Sequence, residues 1–430
     1  MSTCVTTDPT PTQLPALASD VFTRRESAVR SYCRSFPAVF TTARGAVLTD
    51  IEGRHYLDFL CVAGAANYGH NDPEIKAAVI DYLLIDGPVA SLDLHTVAKR
   101  DFLEEFERTI LQPRRLDHRV QFTGPTGTNA VEAALKIARK ATGRHTILAF
   151  TNGYHGMSLG ALAATGNAQA RRGAGIPLAH TVFSDFEGYH GRGDTLDELE
   201  RRLDDPSGGI DLPAAAIVET VQGEGGCNAA SWEWLRRLQQ LLHRRGILLI
   251  IDDVQAGCGR TGSFFSFEPA GITPDIIVLS KSIGGLGLPM SLTLLRPHLD
   301  LWQPGEHNGT FRGNNLAFVA ARTAIELYWR DSAFANGVHA RGDIVRSRLE
   351  RIANRHSGVG YTGRGLLAGL RCSDPERAAR ISRAAWKRQL IIERCGPHDE
   401  VVKTMPPLNI PIPQLHDGLD RLERAVDETA

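Results

Sequence analysis

The chain lacks long apolar runs and any surplus of charge. Nowhere in its 430 residues does an apolar stretch approach the roughly 18–20 residues that a bilayer span requires. The formal net charge is -1, which gives no basic footprint for nucleic acid or an anionic membrane. The N-terminal residues have neither the basic nor the apolar segment of a signal peptide. We therefore expect a cytoplasmic protein with small-molecule partners, and no nucleic acid or membrane partner.

Paired cysteines and metal-binding motifs are missing as well. The seven cysteines are scattered and form no CxxC pair, so neither a disulfide framework nor a zinc site is predicted. A reducing compartment is the simplest location, and no metal is expected. Internal repeats and low-complexity linkers are also absent from the sequence.

The composition is that of an ordinary globular protein. Hydrophobic residues make up 42% and charged residues 23%, and the length leaves room for two or three domains. Residues 1–18 are rich in Thr, Pro and Ala and are predicted to form a mobile tail. We expect a small domain built from both chain ends, residues 19–70 and 317–430, beside a large domain of residues 71–316.

The strongest pattern is an aliphatic run, residues 247–251, that ends in Asp252. It lacks the alternation of a half-exposed strand, so it predicts a central parallel strand covered on both faces. A second strand of this kind, residues 276–279, leads into Lys281. Because open α/β sheets bind ligands at the carboxyl ends of their strands, we expect the acid and the lysine to meet there.

An acid and a lysine at neighbouring strand ends could form a structural ion pair. The glycines that follow both residues favour a ligand, because they let the backbone approach a flat or phosphorylated molecule. A lysine amine facing an aldehyde cofactor, with an acid to hold a pyridinium nitrogen, is the arrangement that pyridoxal phosphate requires.

Residues 124–129 predict a phosphate-binding loop. A helix with an apolar stripe is predicted over residues 130–142, with Asn129 as its N-cap, Glu132 completing a capping box and Gly143 ending it. Free N–H groups at the positive end of a helix dipole bind phosphate. Many helices begin with Thr and Gly, so this pattern gains meaning only together with Lys281.

The remaining patterns predict a doubly wound α/β fold. A strand over residues 214–218 ends in Glu219, and a helix over residues 231–244 precedes the Asp252 strand. Further helices are predicted over residues 21–34, 74–84, 316–329 and 332–355. A turn at residues 150–156 places Tyr154 and His155 between glycines, where an aromatic ring can stack on a planar cofactor. Packing is the commoner role of such a pair.

Together these residues resemble the class III (omega-amino-acid type) aminotransferases of the type I pyridoxal phosphate fold. The similarity extends from about residue 35 to the C-terminus. It rests on a combination of motifs: Gly127-Thr128, Tyr154-His155-Gly156, Glu219 with Gln222-Gly223-Glu224, Asp252-Asp253-Val254-Gln255, Ser280-Lys281 and Thr310. The resemblance implies an α/β fold with a mainly parallel sheet in a large, cofactor-binding domain and a smaller α/β domain.

The resemblance also implies a role for each motif residue. Lys281 would hold pyridoxal phosphate and move the proton, and Asp252 would keep the ring nitrogen protonated. Contacts to the phosphate, the ring faces and the phenolic oxygen are implied for a further set of residues: Gly127, Thr128, Tyr154, His155, Val254 and Gln255. Thr310 would reach the phosphate of the neighbouring subunit, which implies a homodimer with shared active sites, or a larger assembly of it.

Longer segments resemble the branch of the family that makes L-2,4-diaminobutyrate in ectoine biosynthesis. They are residues 31–37, 124–132, 251–262 and 306–315. This branch moves the amino group of L-glutamate onto L-aspartate 4-semialdehyde and releases 2-oxoglutarate. Omega-aminotransferases acting on ornithine, acetylornithine or 4-aminobutyrate are alternatives. So are diaminobutyrate-forming enzymes of siderophore or peptide pathways, and pyridoxal phosphate-dependent aminomutases.

Two positions depart from the family pattern. Many relatives have an acid where this chain has Asn129, and ornithine-type relatives have an arginine where it has Lys403. Lysine offers a point charge where arginine offers a bidentate fork. On the substrate side we expect Lys403 to bind a carboxylate and to pair with Glu224, and Glu219 to orient the region around Gln255. A surface position is the alternative for Lys403.

Overall fold

Helices and strands alternate along residues 20–429, which are the residues that the computed structural model describes. The predicted mobile tail, residues 1–18, lies outside them. The helices are α1 (Asp20–Arg25), α2 (Tyr32–Ser35), α3 (Cys61–Gly64), α4 (Pro73–Leu84), α5 (Val97–Phe106), α6 (Gly127–Thr142), α7 (Leu159–Ala164), α8 (Ala168–Arg172), α9 (Thr195–Asp204), α10 (Trp232–His243), α11 (Asn315–Tyr328), α12 (Ala333–Arg355), α13 (Pro375–Lys387) and α14 (Ile412–Asp427).

The strands are short. They are β1 (Phe40–Arg44), β2 (Val47–Asp50), β3 (His55–Asp58), β4 (Arg119–Phe122), β5 (Ile147–Phe150), β6 (Thr181–Ser184), β7 (Ala215–Val218), β8 (Val221–Gln222), β9 (Asn228–Ala229), β10 (Leu248–Asp252), β11 (Ile276–Leu279), β12 (Leu292–Leu295), β13 (Val359–Arg364), β14 (Leu367–Cys372), β15 (Leu390–Ile391), β16 (Glu393–Cys395) and β17 (Val401–Thr404). None of the described helices is long and apolar enough to cross a membrane.

A seven-stranded sheet in the order β4-β12-β11-β10-β7-β5-β6 forms the centre of the molecule. Only β12 runs antiparallel to its neighbours, so the expected mainly parallel α/β sheet is confirmed. In the parallel pair β10–β11, Asp252 is the register partner of Val278. Asp252 and Lys281 therefore reach the same edge of the sheet.

The central strand β10 is covered on both faces, as its unbroken aliphatic run predicts. Leu249 and Ile251 pack into a core with α5, α10 and α11, while Ile250, on the opposite face, packs against α6. All three side chains are fully buried. Burial of each contributes about 1.5–3 kcal/mol, which anchors the strand end that carries Asp252.

Two further four-stranded sheets involve the two ends of the chain. In the order β1-β2-β3-β15, strand β15 from the C-terminal part of the chain pairs in parallel with β3. The other sheet, β13-β14-β17-β16, is antiparallel and packs with α12, α13 and α14 around a separate core. The domain boundaries proposed from the sequence stay predictions, and the β3–β15 pairing joins both chain ends in one sheet.

The single helix predicted over residues 21–34 is wrong. The structure has two short helices there, α1 and α2, separated by residues 26–31. Residues 21–29 are all exposed, so no apolar face packs against the core. An isolated helix of this length is marginal in water without such packing.

Candidate active site

A cavity of about 280 Å³ lies at the carboxyl edge of the central sheet. Asp252 at the end of β10 and Lys281 just beyond β11 both line it. Every site residue predicted from the sequence except Thr310 and Lys403 lines the same cavity, which is formed by Thr126, Gly127, Thr128, Tyr154, His155, Gly156, Met157, Glu219, Glu224, Asp252, Val254, Gln255 and Lys281.

Lys281 presents an amine that is free to react. Its side chain makes no hydrogen bond or ion pair within residues 20–429, so the structural ion pair with Asp252 that was considered as an alternative is wrong. Burial lowers the pKa of Lys281, although the charge of Glu224 acts in the opposite direction. The residue also has a left-handed φ of 54°, an uncommon conformation for a residue with a side chain, and such strain clusters at functional sites.

Asp252 is held by a buried histidine. His155 Nδ1 lies 2.7 Å from Asp252 Oδ2, and the Val254 N–H donates to Asp252 Oδ1 at 3.2 Å. Burial by itself would lower the pKa of His155, but the hydrogen bond and charge of Asp252 outweigh it, so the pKa is raised. These two hydrogen bonds fix the orientation of the Asp252 carboxylate at the end of β10.

Glu219 fixes two backbone segments of the cavity wall. Its carboxylate accepts hydrogen bonds from the N–H of Tyr154 at 2.8 Å and of Gly223 at 3.3 Å. Burial raises the pKa of Glu219 to about 7, while the charge of His155 opposes this shift. The expected role of Glu219 in orienting Gln255 stays a prediction. Gly223 lies between the two residues, and a Cβ on it would come 1.6 Å from Gln255 Oε1.

The start of α6 differs from the capping pattern predicted for it. The helix begins at Gly127 with Thr126 as its N-cap, so Asn129 lies inside the first turn and its amide donates to Thr126 Oγ1 at 2.8 Å. Glu132 instead accepts hydrogen bonds at the start of α7, from Ser158 Oγ and the N–H groups of Gly160 and Ala161. The predicted N-cap and capping box are therefore wrong, and only the end of the helix at Gly143 is confirmed.

The first turn of α6 still provides an anion site. The N–H groups of Gly127 and Thr128 donate to no other group within the described part of the chain. A Cβ on Gly127 would lie 3.1 Å from Val254 Cγ1, so a glycine allows the loop to approach that side chain closely. Two free N–H groups at the positive end of a 16-residue helix suit a phosphate.

Gln255 has an unsatisfied polar atom beside the site. Its Nε2 donates to the Ala63 carbonyl and to Glu224 Oε1, both at 3.0 Å, whereas its buried Oε1 has no partner among the described residues. Ala63 belongs to α3, a turn whose residues 61–63 have left-handed φ values of 52°, 51° and 53°. Such residues cost roughly 1–2 kcal/mol each, so this turn is held in place by its surroundings. The free lysine, the buried Asp252 carboxylate and the free N–H groups together fit pyridoxal phosphate.

Lys403 lies behind this cavity between two acids. Its Nζ is 2.8 Å from Glu224 Oε1 and 2.9 Å from Glu393 Oε1. The side chain has 0% exposure, so the alternative of a surface lysine is wrong, and the expected contact with Glu224 is present. Burial would lower the pKa of Lys403, but the two carboxylates raise it well above its usual value. Burial likewise opposes ionisation of Glu224, yet Lys403 and Lys281 lower its pKa to about 2.

The sequence reasoning missed Glu393 and Tyr32. Glu393 on β16 is the direct register partner of Lys403 on β17, which accounts for their contact. Tyr32 of α2 lies against the same acid, and burial followed by the charge of Glu393 raises the pKa of its phenol. A signal was available for Glu393, because it is a charged residue directly after the apolar run 390–392.

Thr310 is not part of the cavity formed by its own chain. It is exposed on the turn Thr310–Arg312, and its predicted contact with a neighbouring subunit stays a prediction. The turn is tied to the segment before α5, because Arg312 forms an ion pair with Asp93 and the Ser91 N–H donates to the Gly313 carbonyl at 3.0 Å.

Known proteins are similar to this chain over nearly its whole length. The sequence model of the family described as aminotransferase class-III matches residues 29–426. Diaminobutyrate–2-oxoglutarate transaminases from Nocardia farcinica and Bordetella parapertussis are 55% and 54% identical to this chain, over 95% and 94% of it and 94% of each relative. A solved structure of ornithine aminotransferase from Toxoplasma gondii ME49 matches with a TM-score of 0.82 and 24% identity, over 95% of this chain and 93% of that chain.

Proposed function

This chain belongs to the class III aminotransferases, which are pyridoxal phosphate-dependent enzymes of the type I fold, and we propose that it makes L-2,4-diaminobutyrate. L-glutamate gives its amino group to L-aspartate 4-semialdehyde, and 2-oxoglutarate is released. The proposal rests on the relatives that are 54–55% identical and are named for diaminobutyrate and 2-oxoglutarate. The atoms balance, since exchanging the γ-amine of diaminobutyrate for a carbonyl oxygen gives aspartate 4-semialdehyde, and aminating 2-oxoglutarate gives glutamate.

The cavity residues hold the cofactor in this proposal. Pyridoxal phosphate, when bound, supplies an aldehyde that accepts the amino group and a ring that stores an electron pair. The N–H groups of Gly127 and Thr128 would bind the phosphate. Val254 and Tyr154 would pack on the ring faces, and the Gln255 side chain would lie near the phenolic oxygen.

Lys281 and Asp252 would have separate roles in proton transfer. Burial lowers the pKa of Lys281 and so favours the neutral amine, which would take a proton from the reacting carbon and return it. Asp252 would keep the ring nitrogen protonated through its negative charge. His155, at 2.7 Å, positions that carboxylate.

The two substrates differ in the distance between the reacting amine and the nearest carboxylate. Glutamate reacts at its α-amine, whereas diaminobutyrate reacts at the amine far from its carboxylate. We propose that Lys403 binds a substrate carboxylate and that Glu224 moves aside to admit it. Glu224 is suited to this because it both contacts Lys403 and lines the cavity.

We also propose a homodimer in which Thr310 of each subunit completes the phosphate site of the other. Large apolar side chains lie exposed around the Thr310 turn and the adjoining segment: Phe311 66%, Leu84 76%, Ile85 75%, Leu94 64% and Val97 63%. Exposed apolar patches of this kind mark protein interfaces. Light scattering is expected to give about twice the chain mass of 46.9 kDa, and a monomer would contradict the proposal.

A half-reaction tests the substrate assignment. The cofactor-loaded protein is mixed separately with L-2,4-diaminobutyrate, ornithine, acetylornithine and 4-aminobutyrate, and the cofactor absorbance is followed. Fast conversion by diaminobutyrate, followed by glutamate formation on addition of 2-oxoglutarate, is the expected result. Preference for another amine contradicts the substrate, and failure to release 2-oxoglutarate from glutamate contradicts the aminotransferase and favours an aminomutase.

The product is proposed to enter ectoine biosynthesis as its first committed step. Deleting the gene should abolish ectoine accumulation at high salt, and added diaminobutyrate should restore it. Unchanged ectoine levels, with loss of a siderophore or peptide, would assign the product to that other pathway.

A cytoplasmic location is proposed as well, because every cysteine that the structure describes is a free thiol.

A further inference from the structure

Glu224, Lys403 and Glu393 form a buried charged cluster on the substrate side of the cavity. Lys403 lies 2.8 Å from one acid and 2.9 Å from the other. The exposed fractions of the Lys403 and Glu393 side chains are 0% and 6%, while Glu224 retains 29% and lines the cavity. With all three groups ionised, two negative charges face one positive charge. The charge of Lys281 also acts on both acids, but this lysine would be bound to the cofactor in the loaded enzyme. Buried charge without compensation is costly, so the cluster favours a further positive group.

Glu393 also has hydrogen-bonding capacity to spare. Its Oε1 is buried and has no hydrogen-bond partner among the described residues, because the Lys403 contact brings the charges together without hydrogen-bond alignment. Burial raises the pKa of Glu393, Lys403 opposes the shift, and the charge of Glu224 adds to it. Tyr32 lies against the same carboxylate, and Lys403 approaches Oε1 without an aligned hydrogen bond, so this oxygen can still accept a hydrogen bond from a cationic group.

We infer that this cluster recognises the zwitterionic end of L-2,4-diaminobutyrate, with Lys403 binding the α-carboxylate and Glu393 attracting the α-ammonium group. The inference rests on the proposed function. When the γ-amine of diaminobutyrate lies at Lys281, its α-carbon end is directed away from the reacting atoms and carries both charges. The negative–positive–negative cluster offers a partner for each of them.

Net charge explains why Glu393 discriminates between amines. The zwitterionic end of diaminobutyrate adds no net charge to a cluster that is already negative. 4-Aminobutyrate is the same molecule without the α-ammonium group, so its carboxylate adds a second excess negative charge unless Glu224 moves away. Glu393 therefore favours diaminobutyrate over 4-aminobutyrate, and it acts as a specificity-determining residue that does not touch the reacting atoms.

The test compares the two amines in the Glu393→Gln variant. We expect the ratio of kcat/KM for diaminobutyrate to that for 4-aminobutyrate to fall about tenfold or more, since the amide keeps the shape and loses the charge. The KM for glutamate should stay the same or decrease. Glu393→Asp should restore part of the ratio. General damage to the fold would lower both kcat/KM values and leave their ratio unchanged.

Glu400→Gln is the matched control. Glu400 precedes β17 of the same sheet and pairs with Arg371 at 3.3 Å, but it does not contact Lys403. Its replacement should leave the amine ratio unchanged. Calorimetric titration of the Lys281→Ala protein with each amine provides a readout without turnover, in which Glu393→Gln should weaken the binding of diaminobutyrate more than that of 4-aminobutyrate.

The outcomes separate this inference from the proposed function. If the unaltered enzyme reacts with diaminobutyrate but handles 4-aminobutyrate equally well, the inference is overturned and the proposed function stands. An unchanged ratio in a folded Glu393→Gln variant overturns it in the same way. If the unaltered enzyme ignores diaminobutyrate and uses another amine, the proposed function fails first and the inference fails with it.

Discussion

His155 Nδ1 lies 2.7 Å from Asp252 Oδ2, and both side chains are buried. Asp252 ends β10, whereas His155 follows β5, which is two positions away in the central sheet. The hydrogen bond therefore joins strand ends that are not neighbours. It also gives the buried Asp252 carboxylate a cationic partner. In the proposed function this carboxylate would face the ring nitrogen of the cofactor.

Replacing His155 by Phe should impair the enzyme through Asp252. The ring volume is largely kept, but the buried carboxylate loses its donor, which costs about 1–3 kcal/mol and corresponds to roughly a 5–150-fold lower kcat. Steady-state kinetics and a cofactor titration would measure the change, and cofactor affinity should fall with kcat. The exposed His145→Phe is the control. A folded His155→Phe enzyme with normal kcat would show that the pair is only structural.

Replacing Lys281 by Ala should remove the proton carrier. We expect kcat to fall by about 10²–10⁴ or more, the usual contribution of a positioned acid–base group. The cofactor should still bind, but dialysis should now remove it because no covalent attachment is left. The exposed Lys387→Ala should change neither property. Retention of the cofactor through dialysis by the Lys281→Ala protein would point to a different lysine.

The meeting of Asp252 and Lys281 was predictable because each follows an unbroken aliphatic run. Such runs identify buried parallel strands, and parallel strand ends share an edge. The register partner of Asp252 is Val278, close to Lys281 along the next strand. Two local patterns and one general rule of sheets were therefore enough to place the centre of the site.

The contact of Glu393 with Lys403 and the start of α6 could not be derived in this way. The contact between Glu393 and Lys403 depends on the register of β16 with β17, which the intervening residues 396–400 set through their own turn geometry. At α6, either Thr126 or Asn129 can serve as an N-cap by residue type, and packing decides between them. Residue preferences identify elements, whereas long-range packing fixes their ends and their partners.

Replacing Thr310 by Ala should weaken cofactor binding only if subunits share their sites. Thr310 is exposed and does not line the cavity of its own chain, so a direct effect within one chain is not expected. Loss of a neutral hydroxyl contact should raise the cofactor Kd about two- to tenfold. Fluorescence titration would measure it, with the exposed Thr42→Ala as control. Unchanged cofactor affinity in a variant that is still dimeric would contradict the proposed contact of Thr310 across the interface.

Asp253 should make folding stability depend on pH. Its carboxyl is buried beside Asp252, Oδ1 has no partner among the described residues, and Oδ2 accepts the Ser266 N–H at 3.0 Å. Burial raises its pKa to about 7, although the hydrogen bonds from Ser266 oppose the shift. An unfolded Asp has a pKa of about 3.9. Between about pH 4 and 7 the native protein thus holds a proton that the unfolded chain has released, so this contribution to stability falls as pH rises.

Asp253→Asn should remove that dependence, because an amide resembles the protonated carboxyl and does not ionise. At pH 8 the variant is expected to exceed the unaltered protein in unfolding free energy by on the order of 1–3 kcal/mol, with little difference near pH 4. Urea unfolding at both pH values would measure this, and Asp399→Asn, at an exposed position, is the control. If the Asp253→Asn variant keeps the original decline between these pH values, the carboxyl is ionised in the native protein, and the unpartnered oxygen must be compensated by a donor such as water.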